Sequence, residues 1–259
     1  MNYGVIEGRR DTDWLGGTIP WEDRNPTGNW KEYLPKGELQ YDKQTHVDTM
    51  GCVSFAHNNT IETQLIFAGK DVNLSDRFLA KVSGTTQEGN YLWRVADAFR
   101  AYGCPQEFQW AAPKKFTWDT YYAPIPKEVY AQAVKYQTRY EFLTDLSKDA
   151  LAHELRHAPI QITIPGHSIS LYDVDDLYKY FDTYSPFMKE TESIVSAMKL
   201  VYYDNINTTP MTAKQVRKLQ ALEGYHDEAG VTYWTGKSLE DYLNARLPDK
   251  QKEIEAAMQ

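Results

Sequence analysis

The sequence predicts an α+β fold, because helical segments come first along the chain and strands follow. Three observations carry this. Residues 52–68 and 91–102 place apolar side chains at helical spacing. Ile160-Gln161-Ile162-Thr163-Ile164 alternates apolar and polar, as a half-buried strand does. Beyond residue 205 the helical period returns, which predicts a helical C-terminal appendage on an α+β core.

Taken in order, residues 1–50 read as irregular, punctuated by Gly16-Gly17, Pro20, Pro26, Gly28, Pro35 and Gly37. Trp14, Trp21 and Trp30 would pin this segment to the core. The helix over 52–68 is apolar on more than one face, through Val53, Phe55, Ile61 and Leu65, so it should be buried; Gly69 closes it. Leu74-Ser75-Asp76 starts a second helix, and Gly103 ends the third. Prolines 105, 113, 124 and 126 mark a loop-rich connection before an expected helix at 127–138. Ser147 caps a helix that Pro159 stops. Strands are expected at 160–164, around Ile169, Leu171 and Val174, at 178–182 and at 198–204. Helices are expected again at 212–223 and from Ser238, with a charged end from Asp249. The organisation is therefore an N-terminal segment (1–50), a core (51–205) and an appendage (206–259).

Composition narrows the function. The 259 residues are 42% hydrophobic and 25% charged, an ordinary globular balance. The net charge is −8, with no basic cluster to offset it, so nucleic acid is not an expected partner. No apolar run is long enough to insert in a membrane, and the N-terminus lacks the basic and apolar parts of a signal peptide. Two cysteines, Cys52 and Cys104, do not make a disulfide scaffold. Tyrosine is abundant at 19 residues, which suits lasting contacts with other proteins.

One constellation stands out. Cys52-Val53-Ser54-Phe55-Ala56 continues through Thr60-Ile61-Glu62 to Gly69, and Leu74-Ser75 follows. Gly89-Asn90 precedes the third helix, Gly166-His167-Ser168-Ile169 opens a strand, and Phe181-Asp182-Thr183-Tyr184 comes next. In order and spacing this series resembles the papain-like cysteine peptidases. The form Asp48-Thr49-Met50-Gly51-Cys52, with Asp182-Thr183-Tyr184-Ser185-Pro186-Phe187 after the histidine, resembles the variant encoded by tailed bacteriophages. Cys52 and His167 stand 115 residues apart, somewhat less than the usual roughly 130–150.

The resemblance implies a two-lobe fold: a helical lobe with a central cysteine-bearing helix, and an antiparallel β lobe. It implies Cys52 as nucleophile, activated by a helix N-terminus and an imidazole. His167 would be its base and Asp182, in place of the family's asparagine, would orient the ring. The family's oxyanion glutamine, six residues before the cysteine, falls on His46, with Gln44 the nearest glutamine. Gly89 and Asn90 would bind substrate. No cofactor is expected. The substrate would be a peptide or protein, and a virion or host-cytoplasm setting with other virion proteins as partners is implied. The alternative is a structural virion protein on an inactive papain-like scaffold. Cys104 reads as a buried structural thiol.

A competing motif is His153-Glu154-Leu155-Arg156-His157, which matches H-E-x-x-H. As a zinc peptidase it would use both histidines as ligands and Glu154 as base. Leu151, Leu155 and Ala158 form the stripe expected to face the core, which puts His153 and His157 on the far side. Val216-Arg217-Lys218-Leu219-Gln220-Ala221-Leu222 faintly resembles the start of peptidoglycan-binding helical modules, but the match is short and lacks the module's second half, so a plain helical appendage is the expected reading.

Overall fold

A computed structural model describes residues 3–136, 138–203, 225–226 and 232–233. The central helix α1 runs Cys52–Phe67 and is buried along nearly its whole length. Its end follows from Gly69, whose φ of 76° lets Gly69 N–H reach the Ile66 carbonyl and Lys70 N–H reach that of Leu65. Helix α2 (Asp76–Val82) starts where Ser75 accepts the Phe78 N–H, and α3 (Leu92–Tyr102) stops at Gly103 with φ 73°. Short helices α4 (Trp118–Tyr121) and α5 (Lys127–Gln132) occupy the proline-rich connection.

The expected helix at 127–138 is much shorter than its pattern allowed. The chain leaves it at Ala133, pairs Val134 with Cys104, and enters strand β3 at Thr138–Leu143. A small hairpin precedes α1, with β1 (Tyr41–Asp42) paired to β2 (Val47–Asp48). Helix α6 (Lys148–Leu155) is capped by Ser147, whose hydroxyl accepts the Ala150 N–H. Strands β4 (Ile160–Ile164), β5 (His167–Val174), β6 (Tyr178–Phe181), β7 (Met188–Thr191) and β8 (Ser196–Tyr202) then complete an antiparallel sheet ordered β3-β8-β4-β5-β6-β7.

Two cores result. One joins α1, α2 and α3 to β3 and β8, with Leu65, Phe78, Phe99 and Tyr140 inside it. The other packs α6 on β4, β5 and β6, with Trp30 at its centre and the Trp30 indole donating to the Leu155 carbonyl at 2.6 Å. Helix α1 lies where helices and sheet meet. Polar side chains fix its register there: Gln161 donates to Val53 O at 2.9 Å, and Thr60 meets Ser170 at 2.8 Å. The expected C-terminal helices lie outside the described residues. Between the two expected helices, β9 (Tyr225–His226) pairs with β10 (Thr232–Tyr233).

Candidate active site

Cys52 is the first residue of α1 and is fully buried. Its sulfur accepts the backbone N–H of Ser168 at 3.4 Å, so it lies against the start of β5, next to His167. The His167 ring turns Nε2 to Asp182 Oδ1 at 2.7 Å and leaves Nδ1 buried without a hydrogen-bond partner. With Nε2–H donating to the carboxylate, Nδ1 is the nitrogen that can take a proton. Asp182 directly follows β6. Its Oδ1 also accepts the N–H of Thr183 at 2.6 Å, and its Oδ2 holds the Lys189 ammonium at 2.6 Å. Burial pushes the Asp182 carboxyl upward, but His167 and Lys189 outweigh it and hold the group below the usual carboxylate range. Burial raises the Cys52 thiol, and the carboxylates of Asp48 and Asp182 raise it further against the Ser168 N–H. The described state therefore favours the protonated thiol.

The expected oxyanion residues are elsewhere. His46 sits exposed in the β1–β2 turn with φ 57°, its Nδ1 bonded to the Tyr41 hydroxyl at 2.9 Å. Gln44 is exposed in the same turn. The hairpin register explains this. Pairing Tyr41 with Asp48 brings Gln40 opposite Thr49, in the turn that leads into α1, and carries positions 44–46 to the tip. Gln40 is fully buried. Its Oε1 accepts the Thr183 hydroxyl at 2.7 Å, which turns Nε2 toward Asp48, the Tyr184 hydroxyl and the Tyr3 carbonyl. Gln40 was not singled out from sequence, and Asp48 and Tyr184 entered only as parts of motifs, with no role at the site. The period-2 register around a short hairpin was the signal that could have found Gln40.

The Tyr3 carbonyl belongs to a segment lying across the site. Tyr3 N–H donates to Gly166 O at 2.7 Å, and the Tyr3 ring packs edgewise on His167 at 5.3 Å. Gly89 and Asn90, expected to bind substrate, meet this segment instead. Val5 bridges Asn90 in parallel sense, Asn90 N–H donates to Gly4 O at 2.9 Å, and Ile6 N–H donates to Asn90 O at 2.8 Å. Gly4 has φ 107°, and a Cβ there would run into the Met50 carbonyl. Upstream of the core, Arg10 anchors the segment: it lies 4.1 Å over the Trp93 ring and bonds Asp97 at 2.9 Å.

The zinc motif does not come together. Helix α6 ends at Leu155, so His157 falls in the turn beyond it. There it is buried rather than on the far side, with neither ring nitrogen partnered. His153 is exposed and stacks on Trp21 at 4.9 Å. Glu154 is held by Lys199 at 2.7 Å, and Lys199 also pairs with Glu141 at 2.7 Å. Among the described residues no histidine, cysteine and carboxylate group is disposed to hold a metal ion. Cys104 is buried and unbridged, with its sulfur at 3.5 Å from Ser75 O. No described helix is long and apolar enough to cross a membrane.

No family model and no curated protein matches the chain. Solved structures do match. The digestive procathepsin L 3 of Tenebrio molitor larval midgut is 13% identical over 77% of this chain and 76% of that one, with a TM-score of 0.53. Xylellain, a cysteine protease from Xylella fastidiosa, is 12% identical over 79% of this chain and 97% of its own, with a TM-score of 0.54. The procathepsin L2 proteinase of the same larval midgut gives 11%, 76%, 73% and 0.51. At such identities the likeness defines the fold: the two-lobe architecture of the papain-like cysteine proteases.

Proposed function

We propose that the chain is a papain-like thiol peptidase in which Cys52 attacks a peptide carbonyl. The observation that carries this reading is the geometry around His167. One ring nitrogen is fixed on Asp182 at 2.7 Å, and the other is left without a partner on a ring that neighbours the cysteine. In this scheme His167 Nδ1 takes the thiol proton as sulfur bonds to the carbonyl carbon. The Cys52 N–H at the open end of α1 and the Gln40 amide donate to the developing oxyanion. The imidazolium then protonates the leaving amine, and water, deprotonated by His167, hydrolyses the thioester. Asp182 fixes the ring and its tautomer. The bacteriophage resemblance adds a setting, with a host-surface or viral protein as substrate.

A second reading, a catalytically weak virion protein on this scaffold, is favoured by one observation: residues 3–6 pack against Gly166 and His167 and pair with Asn90. The same experiment weighs both. A thiol-directed peptide electrophile is offered to the full chain and to Gly4→Val, whose new side chain cannot share space with the Met50 carbonyl. The peptidase reading expects fast labelling at Cys52 over Cys104, greatest in Gly4→Val and lost with His167→Ala. Equal, slow labelling of both cysteines in both proteins would leave the scaffold reading standing.

A further inference from the structure

Lys189 lies on edge strand β7, paired with Tyr180 of β6, and its ammonium reaches Asp182 Oδ2 at 2.6 Å. The other oxygen of the same carboxylate takes His167 Nε2 at 2.7 Å. Asp182 is only 3% exposed, so water screens its contact with the buried His167 poorly and its contact with the partly exposed Lys189 only in part. One buried carboxylate is thus shared between an imidazole and a fixed cation. Alone, such a carboxylate would strongly favour the imidazolium. A cation on its far oxygen cancels much of that field and leaves the hydrogen-bond acceptor in place. We propose that Lys189 is a positioning residue that neutralises Asp182, so that the carboxylate orients His167 much as an uncharged acceptor would.

The other groups facing His167 do not supply this effect. The rings of Tyr3 and Tyr184 flank it at 5.3 and 5.4 Å, and both are uncharged as phenols. Cys52 meets the neighbouring Ser168 N–H. Asp48, bonded to the Tyr184 hydroxyl, is a second negative charge and acts in the same direction as Asp182. The cation in this set is Lys189. The geometry also makes a chemical demand consistent with its role. A base that holds its proton too firmly returns it too slowly to a leaving amine, and a base poised near the working pH serves both steps.

The inference rests on His167 and Asp182 forming the site, but its test does not need turnover. The NMR titration of the His167 ring is followed in the full chain carrying Cys52→Ala, which removes the coupled thiol. Lys189→Met and Lys189→Gln should each move the titration midpoint up by about one pH unit, and Lys189→Arg should leave it in place. Asp182→Asn should move it down, since the lysine then acts uncompensated. Adding Lys189→Met to Asp182→Asn should bring it back up. Two neutral variants guard against one that folds poorly. If neither raises the midpoint, or if the double variant titrates with Asp182→Asn, the proposal is overturned whatever the peptidase assay shows. If the midpoints move as stated and no peptide is cleaved, the peptidase reading fails alone.

Discussion

A thiol that keeps its proton is a poor nucleophile, and Cys52 starts from that position. Burial is the main cause, and the Asp48 and Asp182 carboxylates add to it. Asp48 is the more telling of the two, because among the described residues no ammonium pairs with it as Lys189 pairs with Asp182. It accepts the Met50 N–H at 2.7 Å and the Gln40 amide at 2.9 Å, and so holds the turn leading into α1. Replacing Asp48 with Asn keeps an acceptor for Met50 and removes the charge. The pH profile of Cys52 alkylation should then move to lower pH, by about half a unit to one unit. A profile that stays in place would show that the turn, not the charge, is what Asp48 supplies. At the same scale Gln40 should matter to rate more than to binding. Gln40→Ala should lower kcat by about 10²-fold or more with a smaller change in KM, the signature of a donor used in the transition state. A loss confined to KM would remove Gln40 from the oxyanion.

At the scale of elements, α1 carries its own chemistry through the helical lobe. Glu62 is on α1, buried, and accepts the Leu74 N–H at 2.5 Å. Burial raises its carboxyl well above the usual range, and Glu38 and Glu107 raise it further. Glu107 is itself raised from 4.5 to about 7, chiefly by burial. Folded-state values above unfolded ones mean that the native protein binds more protons here. The stability gained is complete below the ordinary carboxylate range and is lost as pH rises through about 7 for Glu107 and about 8 for Glu62. Glu62→Gln keeps an acceptor for Leu74 and cannot ionise. Urea unfolding between about pH 5 and pH 9 should show the wild type losing on the order of 2 kcal/mol more than the variant. Parallel curves would mean that Glu62 is not proton-linked.

The same elements show what the sequence could reveal. Helix α3 and strands β4 and β5 were legible through periodic apolar residues, and α1 through apolar residues on more than one face. Strand β3 was hidden because Glu141, on its polar side, is also buried, against Lys199, so no clean inside and outside marked it off from the helix before it. Strand β7 was hidden because it is an edge, with Met188 exposed and no buried residue to set a period. Cys52, His167 and Asp182 were singled out from order and spacing, and the proposed function uses all three. Gln40 was not, since its place depends on a hairpin register and on a tip that carries His46 away.

At the scale of the whole molecule, the N-terminal segment and the cleft form one unit. Both backbone directions of Asn90 are used by residues 4 and 6, the Gly166 carbonyl by Tyr3, and the Gln40 amide in part by Tyr3. A peptide substrate needing those groups would compete with a tethered occupant at high effective concentration. Gly4 is where that occupant is most easily dislodged. Its φ of 107° is a conformation that suits glycine, and the Met50 carbonyl fills the space a side chain would need. Gly4→Val must therefore shift the segment outward, while Arg10 keeps it tied to Trp93 and Asp97 further along. Hydrogen exchange should report the change locally. The amides of Ile6 and Asn90, each bonded across the cleft at 2.8 and 2.9 Å, should be protected in the wild type and lose that protection in Gly4→Val. Amides in the interior of α1 and β5 should keep theirs, because Val5 is the one residue of the shifted segment that belongs to the helical-lobe core. If Ile6 and Asn90 exchange quickly in the wild type as well, the cleft is already open in solution and the segment offers no barrier to substrate. If protection is lost throughout α1, the segment is part of the core rather than an occupant of the cleft, and a peptidase that must release it would have to unfold to work.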